Sequence, residues 1–228
     1  MSEFQNLVRL FNEAVSSNSK TLQEKIELRI ALIDEEVKET IEAMKKGDIV
    51  GIIDGLCDVL YVTYGAAHTF GITLYTVLEE NTVPSDHLDL EEVRVSAHDL
   101  QQAAEEAMKA IRDQCPKEME QRLNELAWGC WDCAAEGLGI DLKPFFYEVH
   151  RTNMNKLNGP KREGDGKQLK PEGWKGPRLK EMYERSLQKL PLNCDSSCCA
   201  ESVIVKHPSS GYHCKLCGGL YTLNLGNE

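Results

Sequence analysis

Between residues 22 and 70 apolar side chains recur at helical spacing in two runs with a hard stop between them, and this dictates a helical hairpin. Ile26, Ile30, Ile33, Val37, Ile41 and Met44 mark one face of a helix that reaches about Lys46. Thr21 stands where an N-cap is needed, and Glu24, three residues on, supplies the partner of a capping box. Lys45-Lys46-Gly47-Asp48 stops the helix: cations in the last turn complement its dipole, and glycine accepts the left-handed conformation that follows. A third, more apolar helix runs over 48–70, carrying Ile49, Ile52, Ile53, Leu56, Leu60 and Val62, and Gly71 ends it. A turn this short makes the two helices antiparallel neighbours.

The rest of the chain extends the pattern. Residues 4–15 read as a helix with Phe4, Leu7, Val8, Leu10, Phe11 and Val15 on a broad apolar face, and Ser16-Ser17-Asn18-Ser19 reads as a loop. Residues 73–80 suggest one or two short helical turns. Long helical stretches follow at 89–113 and 116–137, then a Gly137-Leu-Gly139 break and a helix over 141–157. Glycine and proline then become frequent, before a helix at 177–189. Residues 191–228 are short, Cys-rich and contain strand-like VIV and LYTL runs. The segment YGAAHTFGITLYTVLEE (64–80) also aligns with DCAAEGLGIDLKPFFYEVH (132–150) at an offset of 68: Ala66-Ala67 falls on Ala134-Ala135, and Gly71-Ile72-Thr73-Leu74 on Gly139-Ile140-Asp141-Leu142. We therefore expect an all-α fold, a duplicated helical-hairpin bundle resembling a fused pseudo-dimer, with a small C-terminal module. The expected divisions are 1–80, a first repeat; 81–158, a second, degenerate repeat; 159–190, a basic Gly/Pro-rich segment with a helix; and 191–228, the terminal module.

The chemistry concentrates in ALIDEEVKET and IIDGLCDVLYV. Glu36 and Glu39, three apart, share one face of the first helix of the hairpin, flanked by Glu35. Asp54 and Asp58, four apart, share a face of the second, and Asp58 sits among Leu56, Val59, Leu60 and Val62. A buried carboxylate without a partner is costly, and converging carboxylates repel unless cations neutralise them. Oxygen-only donors suit Mg²⁺ or Mn²⁺, and Mg²⁺ commonly bridges carboxylates to substrate phosphates. Glu36, Glu39, Asp54 and Asp58 are accordingly the expected ligands. Residues 151–189 carry eleven Lys and Arg against five acids, whereas the whole chain has a net charge of −11. A cationic segment on an acidic body suits a ligand that touches both, such as a metal-bound phosphate.

Nine cysteines and no secretion signal favour a metal site over a disulfide framework. Cys214-Lys-Leu-Cys217-Gly-Gly is a knuckle, and Cys194 with Cys198 forms a first pair upstream; Cys199 could replace Cys198. Four thiolates in two close pairs make a structural Zn²⁺ site, a zinc ribbon. A module this short cannot bury enough surface to fold alone, so the metal would carry much of its stability. Cys130-Trp-Asp-Cys133 lies within a predicted helix and reads as core; His207 and His213 are weaker zinc candidates, and His68, His87, His98 and His150 show no ligand spacing.

EExxE on one helix, a short turn, then an acid and DxLYxxxG on the next resembles the MazG-type all-α nucleoside triphosphate pyrophosphatases. EVHRTNMNKL (148–157), followed by GDGKQLKPEGW and Pro177, is similar to the phosphate-binding segment of the phosphoribosyl-ATP pyrophosphohydrolase-like branch. The resemblance covers about 25–80 and 138–180. It implies a four-helix core and Mg²⁺-dependent hydrolysis of a (d)NTP to a (d)NMP and pyrophosphate. It implies Glu36, Glu39 and Asp58 as metal ligands, and Glu35 as a further ligand or the group that orients the attacking water. Asn153 and Lys156 would hold the phosphate chain, with Arg151 nearby and Lys170 in the same substrate-binding set. The family's second acidic pair is ExxD; here position 55 is Gly and the upstream acid is Asp54. At the 68 offset, Glu36, Glu39 and Asp58 fall on Ala104, Ala107 and Leu126, so one active site per chain is expected.

At 41% apolar and 28% charged this is an ordinary globular composition, and its acidity argues against general nucleic-acid binding. No apolar run approaches the roughly 18–20 residues of a membrane span, and the N-terminus is neither a signal nor a transit peptide. We expect a cytoplasmic protein of phage or bacterial type. It would act on a small-molecule (d)NTP, away from membranes and nucleic acid, as a homodimer or higher homo-oligomer. The competing reading is a zinc-ribbon module on a helical scaffold that uses 151–189 to contact nucleic acid or protein.

Overall fold

The computed structural model describes residues 2–15, 21–75, 84–85, 88–160 and 168–188, and the backbone of four short strands between 192 and 223. Its helices are α1 (Glu3–Val15), α2 (Leu22–Lys46), α3 (Ile49–Thr69), α4 (Leu90–Asp113), α5 (Pro116–Asp132), α6 (Lys143–Lys156) and α7 (Leu179–Gln188). The body is all-helical, as expected. α2 packs along α3 and α4 along α5, and the two hairpins meet as α2 on α4 and α3 on α5. α1, α6 and α7 close over α3.

Local chemistry accounts for the helix ends. Thr21 Oγ1 accepts the Glu24 N–H while the Glu24 carboxylate accepts the Thr21 N–H at 2.6 Å, so both arms of the capping box form. Gly47, at φ 65°, terminates α2, and Asp48 caps α3 by accepting the Gly51 N–H at 3.0 Å. Asp89 caps α4 through the N–H groups of Glu91 and Glu92. α5 starts on Pro116 and passes into a π-helical turn, Cys133–Gly137. There the incoming chain takes up carbonyls: Ser85 N–H donates to Ala135 O and Asp89 N–H to Gly137 O, each at 2.8 Å.

Two sequence expectations change. Residues 73–75 form no helical turn. The buried Gln5 of α1 takes up their backbone instead, its Nε2 donating to Ile72 O at 2.6 Å and its Oε1 accepting the Leu74 N–H at 3.1 Å. The remainder of that expected turn, 76–80, lies outside the described residues. Second, α3 is long and apolar enough, by length and composition, to cross a bilayer, contrary to the expectation that no run comes near that length. Most of α3 is buried against its neighbouring helices, as a central core helix must be.

Aromatic side chains knit α1, α3, α5 and α6 together. Phe4 lies 5.2 Å from Trp131 and 5.1 Å from Phe146, ring centre to ring centre. Trp131 Nε1 donates to the Tyr64 hydroxyl at 3.2 Å, which gives both buried polar tips a partner. At the C-terminus, β1 (Leu192–Cys194), β2 (Ile204–His207), β3 (Gly211–Cys214) and β4 (Leu220–Leu223) form an antiparallel sheet of order β1-β4-β3-β2. Of the expected zinc ligands, Cys198 and Cys217 lie outside the described residues, and Cys194 and Cys214 close β1 and β3. Cys130 and Cys133 are buried free thiols, as their helical setting implied.

Candidate active site

α2 carries Glu35, Glu36 and Glu39, and α3 carries Asp54 and Asp58. The i, i+3 and i, i+4 spacings put Glu36 with Glu39 and Asp54 with Asp58 on single helix faces. The α2–α3 contact turns those faces toward each other. The two helices approach closely at Gly55, where an added Cβ would stand 3.0 Å from the Thr40 Cα and closer still to the Thr40 hydroxyl. Thr40 is fully buried, and its Oγ1 donates to Glu36 O at 2.7 Å. No side chain fits at position 55 without separating the helices. That explains why the acid stands at 54.

The carboxylates act on one another. Burial pushes the Glu36 carboxyl up to about 7, with Glu39, Glu35 and Asp54 adding to it and Lys156 opposing. Asp54 is also raised, mainly by burial; Lys156 and Lys170 pull it down and Glu39 pushes it up. Asp58 lies well above the ordinary carboxylate range, first through burial and then through Asp54 and Glu36. Charge that is this costly to bury without a counter-ion is what a divalent cation relieves. Among the described residues no three His, Cys, Asp or Glu side chains stand close enough together to hold a metal ion as they are. The donor chemistry nevertheless fits a hard divalent cation: oxygen only, from two adjoining helices. Glu35 is exposed beside this group.

α6 brings the cation. Lys156 is partly buried, and burial lowers its ammonium pKa, while Asp58, Asp54 and Glu36 oppose that shift. Its Nζ donates to Asn153 Oδ1 at 2.6 Å. Trp174 packs against two lysines, its ring centre 5.5 Å from Lys156 Nζ and 4.4 Å from Lys170 Nζ. Its Nε1 donates to Thr152 O at 3.2 Å, which ties the 168–178 segment to α6. Arg151 is placed differently from Lys156: its guanidinium grips Glu148 through Nε and Nη2 at 2.8 and 2.7 Å.

The structure therefore gathers Glu36, Glu39, Asp54, Asp58, Asn153, Lys156 and Lys170, leaves Glu35 on the flank and pairs Arg151 with Glu148. Sequence reasoning missed Trp174, Tyr61 and His150. Tyr61 lay inside the DxLYxxxG motif without a role, and nothing in the spacing of His150 linked it to α3. Yet the Tyr61 hydroxyl stands 3.1 Å from His150 Nδ1.

Residues 1–82 match the phosphoribosyl-ATP pyrophosphohydrolase family. The match spans α1, α2 and α3, hence all the carboxylates, and stops before α4. Over 151 residues the chain is 25% identical to "Uncharacterized protein L479" of Acanthamoeba polyphaga mimivirus, a match covering 58% of this chain and 59% of that protein. The chain thus spans under two thirds of that relative. The family match supports an enzyme of the nucleotide pyrophosphohydrolase type. The Asn153–Lys156 half of the site lies beyond the matched residues and joins the carboxylates through the packing of α6 on α3.

Proposed function

We propose that the chain is a Mg²⁺-dependent nucleoside triphosphate pyrophosphohydrolase that converts a (d)NTP and water to a (d)NMP and pyrophosphate. The observation that carries this reading is the meeting of the α2–α3 carboxylates with Lys156 of α6, about 100 to 120 residues away in sequence. A triphosphate is the ligand that needs both signs at once. Glu36, Glu39, Asp54 and Asp58 would hold Mg²⁺ or Mn²⁺. When bound, the cation screens the phosphate oxygens and lowers the pKa of its water. Glu35, exposed beside Glu36, orients the water that attacks the α-phosphorus. The Lys156 ammonium, aimed by Asn153, neutralises the departing pyrophosphate, and Lys170 adds positive charge beside it. The bond between the α-phosphorus and the β-bridging oxygen breaks as the water oxygen adds.

The hairpins α2–α3 and α4–α5 support a fused pseudo-dimer with one site per chain, because the second hairpin has Ala104, Ala107 and Leu126 at the equivalent positions. Cys194, Cys198, Cys214 and Cys217 would hold a structural Zn²⁺. The test is a panel of NTPs and dNTPs incubated with Mg²⁺ and assayed for pyrophosphate. Release from at least one, abolished by Glu39→Gln with the helical circular dichroism retained, is the expected result. No release from any nucleotide overturns the proposal.

A further inference from the structure

The run Lys170-Pro-Glu-Gly-Trp174 folds back on itself, and the fold has a consequence for two lysines. Pro171 O accepts the Trp174 N–H at 3.0 Å, and Gly173 between them has φ 71°. A reversal with positive φ at its third residue calls for glycine. The turn lays Lys170, just before it, against the ring of Trp174, with Nζ 4.4 Å from the ring centre. Both flanks of the turn are tied down. The Leu169 N–H donates to Pro160 O at 2.8 Å, and the Arg178 N–H donates to the buried Glu148 carboxylate at 3.1 Å.

The indole itself is seated on α6. Its Nε1 donates to Thr152 O at 3.2 Å. Thr152 and Lys156, four apart, share a face of that helix, and Lys156 Nζ stands 5.5 Å from the ring centre. One ring is therefore within cation–π reach, about 6 Å, of two ammonium groups carried by separate segments. Each ammonium ends a flexible four-carbon stem, Lys170 is exposed, and the two charges repel each other. The negative face of an indole attracts both.

We infer that Trp174 is a positioning residue whose ring gathers the Lys156 and Lys170 ammonium groups into one dicationic clamp for a pyrophosphoryl group. Two ammonium groups held by one ring suit a ligand with two adjacent phosphates, which offers each of them its own anionic group. The consequence for catalysis rests on the pyrophosphohydrolase reading; the clamp and its affinity for pyrophosphate do not. A merely structural role for Trp174 would require the shape of the ring and its Thr152 bond, and would be indifferent to the electron density of the ring face.

Two measurements on the full chain separate these roles. In proton–carbon NMR, with the Cε–Hε signals assigned by their loss in Lys156→Met and Lys170→Met, both lysines should be shifted upfield by the indole ring current, Lys170 more than Lys156. Trp174→Leu should return both to the ordinary lysine position, and Trp174→Phe should keep part of the shift. Signals at the ordinary position in the parent chain, or unmoved by Trp174→Leu, overturn the inference. The second measurement is calorimetric binding of inorganic pyrophosphate in Mg²⁺ buffer. Trp174→Leu should weaken it about five- to thirtyfold, the worth of two cation–π contacts. Fluorinated tryptophans placed at position 174 alone keep the shape and drain the ring face, so affinity should fall stepwise with each fluorine. The dependence should flatten in Lys170→Met, which removes the nearer cation. Affinity that ignores fluorination or rises with it, or a slope undiminished in Lys170→Met, refutes the clamp, and no pyrophosphate binding to the parent chain refutes its ligand. Pyrophosphate binding as stated, with no nucleotide hydrolysed, would count against the proposed function alone.

Discussion

Glu148 is the clamp that holds the 168–188 segment against the bundle, and its replacement by Gln should loosen that segment measurably. The Glu148 side chain is only 6% exposed. Its Oε1 accepts from Arg151 Nη2 at 2.7 Å, Arg178 Nε at 3.2 Å and the Arg178 backbone N–H at 3.1 Å, while Oε2 accepts from Arg151 Nε at 2.8 Å. The Arg151 guanidinium, followed by Arg178, holds the Glu148 carboxyl down at about 2 against an ordinary value of 4.5. At 1.36 kcal/mol per pH unit that gap corresponds to about 3 kcal/mol. The Arg151 and Arg178 side chains are 47% and 60% exposed, so water shares their charge and about 1–2 kcal/mol remains. A carboxylate whose pKa is depressed in the folded state stabilises fully above its unfolded value and loses that contribution as pH falls toward the folded one. Urea unfolding of Glu148→Gln against the parent chain should therefore show a deficit of about 1–2 kcal/mol at pH 7. The deficit should persist to about pH 4.5 and shrink below it. A deficit that stays constant from pH 7 to pH 3 would refute the electrostatic account and leave a packing defect instead.

Three other changes probe the site and the tail. Gly55→Ala should destabilise the chain by about 1–3 kcal/mol in thermal unfolding, because its Cβ would press on the Thr40 backbone; an unchanged Tm would mean that α2 and α3 do not approach this closely. Glu36→Gln should stabilise the chain in chelator at pH 8 by about 1–2 kcal/mol, since it removes a charge that burial and neighbouring carboxylates disfavour; lower stability than the parent chain would show that the charge has a partner. Metal analysis after exhaustive dialysis should find about one zinc per chain, falling in a Cys214→Ser/Cys217→Ser variant; metal-free folded protein would reject the ribbon.

How much of this was legible in the sequence follows the range of the forces involved. The ends of α2 and α3 were readable because the capping box at Thr21 and the glycine at 47 act within four residues. The carboxylate faces were readable because helical periodicity alone places 36 with 39 and 54 with 58. Residues 73–75 were misread because the backbone partner there comes from Gln5 of α1, which bonds Ile72 O and the Leu74 N–H, and no local pattern reports a partner that distant. The departure at Gly55 was visible, but its cause, the Thr40 backbone, needed the helix packing. Tyr61 and His150 had no legible role for the same reason: their hydrogen bond exists only because α6 lies on α3.

The two hairpins also explain why the acids are found on one of them only. α4 begins 68 residues after α2, at Leu90 against Leu22, and Gly139 repeats the positive φ of Gly71, 63° against 68°. Glu36, Glu39 and Asp58 are partly or fully exposed. Their counterparts Ala104, Ala107 and Leu126 are 1%, 0% and 0% exposed. The same helix face thus looks onto α6 and solvent in the first hairpin and into the core in the second. A carboxyl placed at 107 would have to be buried without a partner, at about 2–7 kcal/mol even in its protonated form. Glu39 is exposed, and its removal should shift stability by no more than about 0.5 kcal/mol. Ala107→Glu and Glu39→Ala, compared by urea unfolding in divalent-free buffer, should therefore differ several-fold in cost. If they cost the same, the hairpins are equivalent in their surroundings, and burial is not what confines these carboxylates to the first.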